Sequence, residues 1–258
     1  MPPALTVVTY NIRQGRDVAG ALDLVRTAAV IRAQSPDLVA LQEVSRHWSA
    51  ESEFRDQPAE LEALLEMGCV FGANLDREPL EPGRPRRQYG TAILSAWPLL
   101  ASENILLPRV SADNEQRGLL VADVELEGTV FRLHNTHLSV SADDRRLQVD
   151  AILAEVQRAR VPHALLGDLN APPGAPELRP LLERLGDAWS AAGEGDGFTF
   201  PASAPRTRID YVLVSPRLEV RAARVPALRG SDHLPLVAEL APAGLTGGRP
   251  VEQAAAPR

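Results

Sequence analysis

The stretch Arg229-Gly230-Ser231-Asp232-His233-Leu234-Pro235 places an Asp and a His side by side in a Gly-Ser turn, and Leu236-Val237-Ala238 then opens an apolar run. Glycine permits a sharp backbone path, and the apolar run reads as a last strand. Asp232 and His233 therefore stand on a rim just before a buried strand, a common place for chemistry on a rigid scaffold. Histidine titrates nearest neutrality, so His233 can take or give a proton at working pH. The same residues also suit a plain turn, with Asp232 capping the backbone and His233 exposed. The rest of the chain decides between the two.

Similar polar clusters recur wherever a strand is expected to end. Residues 5–10 read as a first strand and run into Asn11-Ile12-Arg13-Gln14-Gly15. A helix is expected over 21–34, with Leu22, Val25 and Ala29 on its apolar face, and Ser35-Pro36-Asp37 stops it. Leu38-Val39-Ala40-Leu41 is a short apolar strand that runs out at Gln42-Glu43-Val44. A second helix over 58–67, a strand over 69–73 and a polar loop over 76–88 follow; Arg84, Arg86 and Arg87 on that loop read as solvated. Strands are expected near 89–95, 99–107, 117–126 and 129–135, with Glu127-Gly128 as a hairpin turn. His134 and His137 are an odd number of positions apart, so only one of them faces a given site. Ser141 is placed to cap a helix carrying Val149, Ile152, Leu153 and Val156. The next strand, 162–166, ends in Gly167-Asp168-Leu169-Asn170, and Asp168 and Asn170 share a side while the chain stays extended. A short helix over 177–185 and a Gly-rich stretch lead to a strand over 207–214, where Asp210 sits among apolar neighbours and needs a partner.

Length and composition set outer limits. A chain of 258 residues with 45% hydrophobic and 24% charged residues is that of an ordinary globular protein. No internal repeat or linker appears before Pro242, so residues 1–241 read as one domain and 242–258 as a disordered tail. No apolar run is long enough to cross a membrane, and the start of the chain lacks the features of a secretory signal. The lone Cys69 excludes an intrachain disulfide and a Cys-rich zinc site. A cytoplasmic monomer is expected. The net charge of −7 disfavours a protein that coats nucleic acid. It leaves room for a phosphate-ester enzyme, because a bound divalent cation reverses the field within one cleft. Every basic residue is Arg, which excludes a lysine Schiff base.

Taken together, the strand-end residues Asn11, Glu43, His137, Asp168, Asn170, Asp210, Asp232 and His233 supply hard oxygen donors and proton-transfer groups. No Gly-x-Ser-x-Gly elbow and no Gly-Lys-Ser/Thr phosphate loop is present. Carboxylates without thiolates favour Mg²⁺ or Mn²⁺ over zinc.

In order, the chain carries Thr9-Tyr10-Asn11-Ile12, Leu41-Gln42-Glu43-Val44, Asn135-Thr136-His137-Leu138, Gly167-Asp168-Leu169-Asn170, Arg208-Ile209-Asp210-Tyr211-Val212-Leu213 and Ser231-Asp232-His233-Leu234-Pro235. This pattern resembles the endonuclease/exonuclease/phosphatase superfamily, which includes deoxyribonucleases, apurinic endonucleases, neutral sphingomyelinases and inositol polyphosphate 5-phosphatases. The resemblance implies a four-layered α/β (α+β) sandwich, with two mixed, mostly antiparallel β-sheets face to face and helices outside. It implies Glu43 as a metal ligand, with Asn11 and Asp232 as direct or water-mediated ligands of Mg²⁺ or Mn²⁺. Asp168 and Asn170 match the pair that orients the attacking water and holds the phosphate. His233 matches the catalytic His, Asp210 its carboxylate partner, and His137 the second His of the deoxyribonuclease and sphingomyelinase branches. Arg117 and Arg13 are candidate contacts to the substrate phosphate. His134, His47 and His163 match nothing and read as structural. The expected activity is metal-dependent hydrolysis of a small-molecule or lipid head-group phosphoester, by in-line attack of water on phosphorus. His233 serves either as base or as oxyanion stabiliser. A DNA nuclease is the alternative, which 4% aromatic residues and the acidic balance count against. A catalytically dead binding module on the same fold is a remote second.

Overall fold

The computed structural model describes residues 4–243. In chain order its strands and helices are β1 (Leu5–Asn11), α1 (Leu24–Arg32), β2 (Leu38–Arg46), α2 (Gln57–Leu65), β3 (Gly68–Arg77), β4 (Arg87–Ser95), β5 (Leu99–Leu106), β6 (Gly118–Leu126), β7 (Thr129–His137), α3 (Ala142–Arg158), β8 (His163–Asp168), α4 (Arg179–Arg184), β9 (Gly186–Asp187), α5 (Ala188–Ala192), β10 (Asp210–Val214), β11 (Leu218–Arg224) and β12 (Leu236–Pro242). They form two six-stranded sheets, ordered β11-β12-β1-β2-β4-β3 and β5-β6-β7-β8-β10-β9.

Each sheet contains one parallel pair, β1–β2 in the first and β7–β8 in the second. A parallel pair needs a long crossover, and α1 and α3 supply it. The remaining pairings are antiparallel. The inner faces bury Leu5, Val7, Leu38, Ala40 and Ile93 of the first sheet against Leu120, Phe131, Leu133, Leu166 and Val212 of the second. A separate cluster seats α1 and α2 on the outer face of the first sheet through Leu24, Ala28, Ile31 and Leu61. Another seats α3 and α4 on the second through Val149, Ile152, Val156 and Leu181. The result is the four-layered sandwich that the motifs imply. The expected cap Ser141 is in place, and Asp23 and Asp56 cap α1 and α2 in the same way, each accepting a backbone N–H of the first turn.

The fold corrects the sequence reading in several places. Helix α1 buries Leu24, Ala28 and Ile31, while Val25 is 64% exposed, so the stripe of Leu22, Val25 and Ala29 is not its core face. The Asp23 cap starts the helix at Leu24 and so fixes its phase. Strand β2 does not run out at Glu43 but continues to Arg46, with a register shift between Leu41 and Val44. Strand β11, its side chains largely exposed at a sheet edge, and α5 in the Gly-rich stretch add elements that the sequence did not show. Of the expected tail, Pro242 is the last residue of β12 and residues from 244 onward lie outside those described. Among the described residues no helix is long and apolar enough to cross a membrane.

Candidate active site

The C-terminal ends of β1, β2, β7 and β8 and the N-terminal ends of β10 and β12 lie at one end of the sandwich, as their pairing requires: Asn11 is opposite Gln42, His137 opposite Asp168, Asp168 opposite Asp210, and Thr9 opposite Leu236. Asn11, Glu43, His137, Asp168, Asp210 and His233 therefore emerge together. Beneath them a polar seam joins the sheets. Gln42 Nε2 donates to Asn135 Oδ1 at 2.8 Å and to Thr9 Oγ1 at 3.1 Å. Asn135 Nδ2 in turn donates to the carbonyls of Leu41 and Ala92, at 2.9 and 2.8 Å.

Local backbone features aim the side chains. Glu43 occupies the β2 bulge with φ +57°, so its carboxylate leaves the strand alternation and reaches Asn11, whose Nδ2 donates to Glu43 Oε1 at 3.0 Å. Gly167 has φ +153°, and a Cβ there would lie 2.0 Å from the Thr136 carbonyl oxygen. Only glycine lets β8 come this close to β7, which seats Asp168 against His137. Asn170 does not continue extended from Asp168. Its φ is +50°, its N–H turns back onto Asp168 Oδ1 at 2.9 Å, and its Nδ2 donates to the Leu138 carbonyl at 2.9 Å.

Asp168 is the hub. Its Oδ2 accepts from Asn11 Nδ2 at 3.1 Å and lies 3.5 Å from His137 Nε2 and 3.7 Å from His233 Nε2. Burial and the neighbouring Asp210 charge push its carboxyl upward. His233 Nδ1 lies 2.9 Å from Asp210 Oδ2. Burial works against an imidazolium at His233, but Asp210, followed by Asp168 and Asp232, outweighs it and raises the ring to about 10. Phe200 packs on the ring at 4.8 Å between centroids. His137 is the opposite case: burial and the positive charges of Arg117 and His233 hold it well below the usual range. Arg117 can only donate, so at 3.0 Å it meets His137 Nδ1 as an acceptor, while Nε2 of the same ring lies 3.0 Å from Asn170 Nδ2 and 3.5 Å from Asp168 Oδ2. Arg117 also pairs with Glu115 at 2.8 Å, and its buried Nε has no partner among the described residues.

Two other sequence candidates stand further out. Asp232 pairs with Arg13 Nε at 3.6 Å and takes a 3.2 Å hydrogen bond from Ser231. Arg13 N–H donates to Asn11 Oδ1 at 3.1 Å, which links this outer pair to Glu43 through Asn11. Asp168, Asp210 and His233 offer atoms within 4.8 Å of one another, a spacing that could hold an ion. That trio is already matched internally by the His233–Asp210 hydrogen bond, so a cation suits the Glu43 side better. There Glu43, Asn11 and Asp232 offer oxygen donors and no thiolate, a set that fits a hard divalent ion. The sequence reading missed Gln42 and Asn135 as the seam, Phe200, and Tyr89, whose hydroxyl faces Glu43. Gln42 and Asn135 flank site residues inside the quoted motifs, whereas Tyr89 and Phe200 carry no local signal.

A sequence model of the Endonuclease/Exonuclease/phosphatase family matches residues 8–233. Comparison with curated proteins found no match. Among solved structures, the chain is similar to an endonuclease/exonuclease/phosphatase from Beutenbergia cavernae DSM 12333, at 29% identity and TM-score 0.79, over 93% of this chain and 72% of that one. It is similar in fold to a mannosyl-6-phosphatase from Bacteroides thetaiotaomicron VPI-5482, at 18% identity and TM-score 0.73, over 92% of this chain and 99% of that one. It is also similar in fold to truncated Caenorhabditis elegans TDP2, at 22% identity and TM-score 0.66, over 92% of this chain and 97% of that one. The family match begins within β1 and ends at His233, so it takes in the site residues from Asn11 to His233, and the chain belongs to the endonuclease/exonuclease/phosphatase family.

Proposed function

We propose that the protein is a divalent-metal-dependent hydrolase of small phosphoesters, with water attacking phosphorus in line with the leaving oxygen. The observation that carries this reading is the joining of Asn11–Glu43 from one sheet to Asp168–His137 from the other, with His233 held by Asp210 beside them. Glu43 with Asn11 and Asp232 would hold Mg²⁺ or Mn²⁺, which would supply positive charge against the phosphoryl and leaving oxygens. His233, protonated beside Asp210, donates to a phosphoryl oxygen. Asp168, buried and raised, takes the proton of the attacking water, which Asn170 helps to orient. Arg117 and Arg13 donate to the substrate phosphate. His137, neutral and tied to Arg117 at Nδ1, holds Asn170 and Asp168 in place through Nε2.

The mannosyl-6-phosphatase among the fold neighbours fits a phosphomonoester, and the small size of the domain fits a small substrate over a polymer. The acidic net charge of −7 also weighs against DNA. A cytoplasmic, monomeric enzyme is part of the proposal. The test is hydrolysis of p-nitrophenyl phosphate and bis-p-nitrophenyl phosphate with Mg²⁺ or Mn²⁺, with and without EDTA, and with His233→Ala as control. Turnover that needs the metal and His233 supports the reading, and the preferred ester separates phosphatase from diesterase. Turnover that survives His233→Ala overturns the assignment.

A further inference from the structure

At the rim of the first sheet a short stack runs outward from Glu43. Tyr89, on β4, faces the Glu43 carboxylate. Its ring lies 5.6 Å from that of Trp48, with 36° between the planes. Arg77, the last residue of β3, places its guanidinium 4.9 Å over the Trp48 ring. Trp48 is half-buried and Arg77 is exposed.

Arg77 has no ion pair among the described residues. The two carboxylates beside it in the sequence, Asp76 and Glu78, are both taken by Arg86. Among the described residues, Arg77 makes neither a salt bridge nor a side-chain hydrogen bond. Its guanidinium thus sits over the indole at an exposed position. Guanidinium planes stack on aromatic rings as well as donate to anions, and a lysine ammonium offers no such plane. Arg77 sits over the half-buried Trp48, whose ring also neighbours that of Tyr89 beside Glu43.

We propose that Arg77 stacked on Trp48 is a specificity subsite for a planar ring at the far end of the substrate. The ring extends the stack on the outer face of the guanidinium while its phosphoester lies among Asp168, Arg117 and His233. The subsite rests on the phosphoester reading above. The substrate class is a phosphoester whose non-phosphate arm ends in an aromatic or heterocyclic ring several atoms from phosphorus, as in a nucleotide.

Binding of non-hydrolysable phosphonates tests this without turnover. Phenylphosphonate, 2-phenylethylphosphonate and 4-phenylbutylphosphonate are titrated calorimetrically in Mg²⁺, each against the alkylphosphonate of equal chain length. Wild-type protein should bind at least one aryl member about tenfold more tightly than its alkyl match, as stacking on a side chain provides. Trp48→Ala and Arg77→Lys should remove that preference while leaving alkylphosphonate affinity within about twofold. Equal aryl and alkyl affinity, or a preference that survives either substitution, overturns the subsite. If no phosphonate binds wild-type protein, or if His233→Ala leaves binding unchanged, the phosphoester reading fails and the subsite with it.

Discussion

His233 Nδ1 sits 2.9 Å from Asp210 Oδ2, and the other oxygen of that carboxylate is buried with no partner among the described residues. Asp210 is fully buried at the first position of β10, opposite Asp168. The imidazole is the side-chain partner of a carboxylate otherwise enclosed by the strand. Replacing Asp210 with Asn leaves the shape intact but removes the charge that fixes the tautomer. Turnover of the aryl phosphates should fall by about two to four orders of magnitude, the range seen when such a pair is neutralised elsewhere. A downfield proton resonance from His233 Nδ1–H should disappear with it. Retention of both would show that the pair is structural.

Asn11 Nδ2 donates to two carboxylates, Glu43 at 3.0 Å and Asp168 at 3.1 Å. Asn11→Asp sets a third acceptor between them. The charges repel, and at least one carboxyl must hold a proton. Activity should drop at least about 100-fold, and half-saturating Mg²⁺ should move by more than about tenfold. An unchanged Mg²⁺ titration would remove Asn11 and Glu43 from the metal side of the site.

Asn135 is fully buried and feeds the carbonyls of Leu41 and Ala92 while accepting from Gln42. Asn135→Leu takes the side-chain donor from both buried carbonyls and one acceptor from Gln42, which keeps its bond to Thr9. A buried group left unpaired costs about 1–3 kcal/mol, so a loss of about 3 kcal/mol or more is expected in urea unfolding. Paired replacement of Gln42 and Asn135 by leucines should recover part of that loss.

His134 is fully buried, with Nδ1 bonded to the Ala164 carbonyl at 3.2 Å, and lies edge-on to His163. Burial first, then the His163 charge, holds it down to about 3. Its unfolded value is about 6.5, so the unfolded chain binds the extra proton first as pH falls. Its contribution to stability is therefore complete above about pH 6.5 and is lost as pH drops toward the folded value of about 3. The urea midpoint should decline from pH 7 to pH 4, and His134→Gln should flatten that decline. An equally steep decline in the variant would assign it to other groups.

Asn11, Asp168, Asp210 and His233 were legible in the sequence because strand ends are marked by apolar runs, and polar residues there stand out. The parallel pairs could be inferred only through the family pattern, since β1 and β8 read alike whichever neighbour they take. Glu43 was placed at a strand end because a bulge leaves no mark in Leu-Gln-Glu-Val: the same four residues suit an ending or a kink. The face of α1 was misjudged because Leu22, Val25 and Ala29 have helical spacing as good as that of Leu24, Ala28 and Ile31. Strand β11 was missed because its arginines and exposed positions read as loop. Tyr89, Trp48, Arg77 and Phe200 were out of reach for a different reason. Their roles depend on which strand ends and loops the sandwich gathers at one end, and chain order does not give that.

The Thr9–Gln42–Asn135 seam has a consequence for how such a protein can change over generations. It pins the two halves of the floor together at the level from which Asn11 and Asp168 rise. Below it lies tightly packed hydrocarbon, and above it mostly connecting chain. Mutations in the connecting chain can redraw what the molecule admits without disturbing the alignment of the atoms that act, so appetite can drift while chemistry is inherited unchanged.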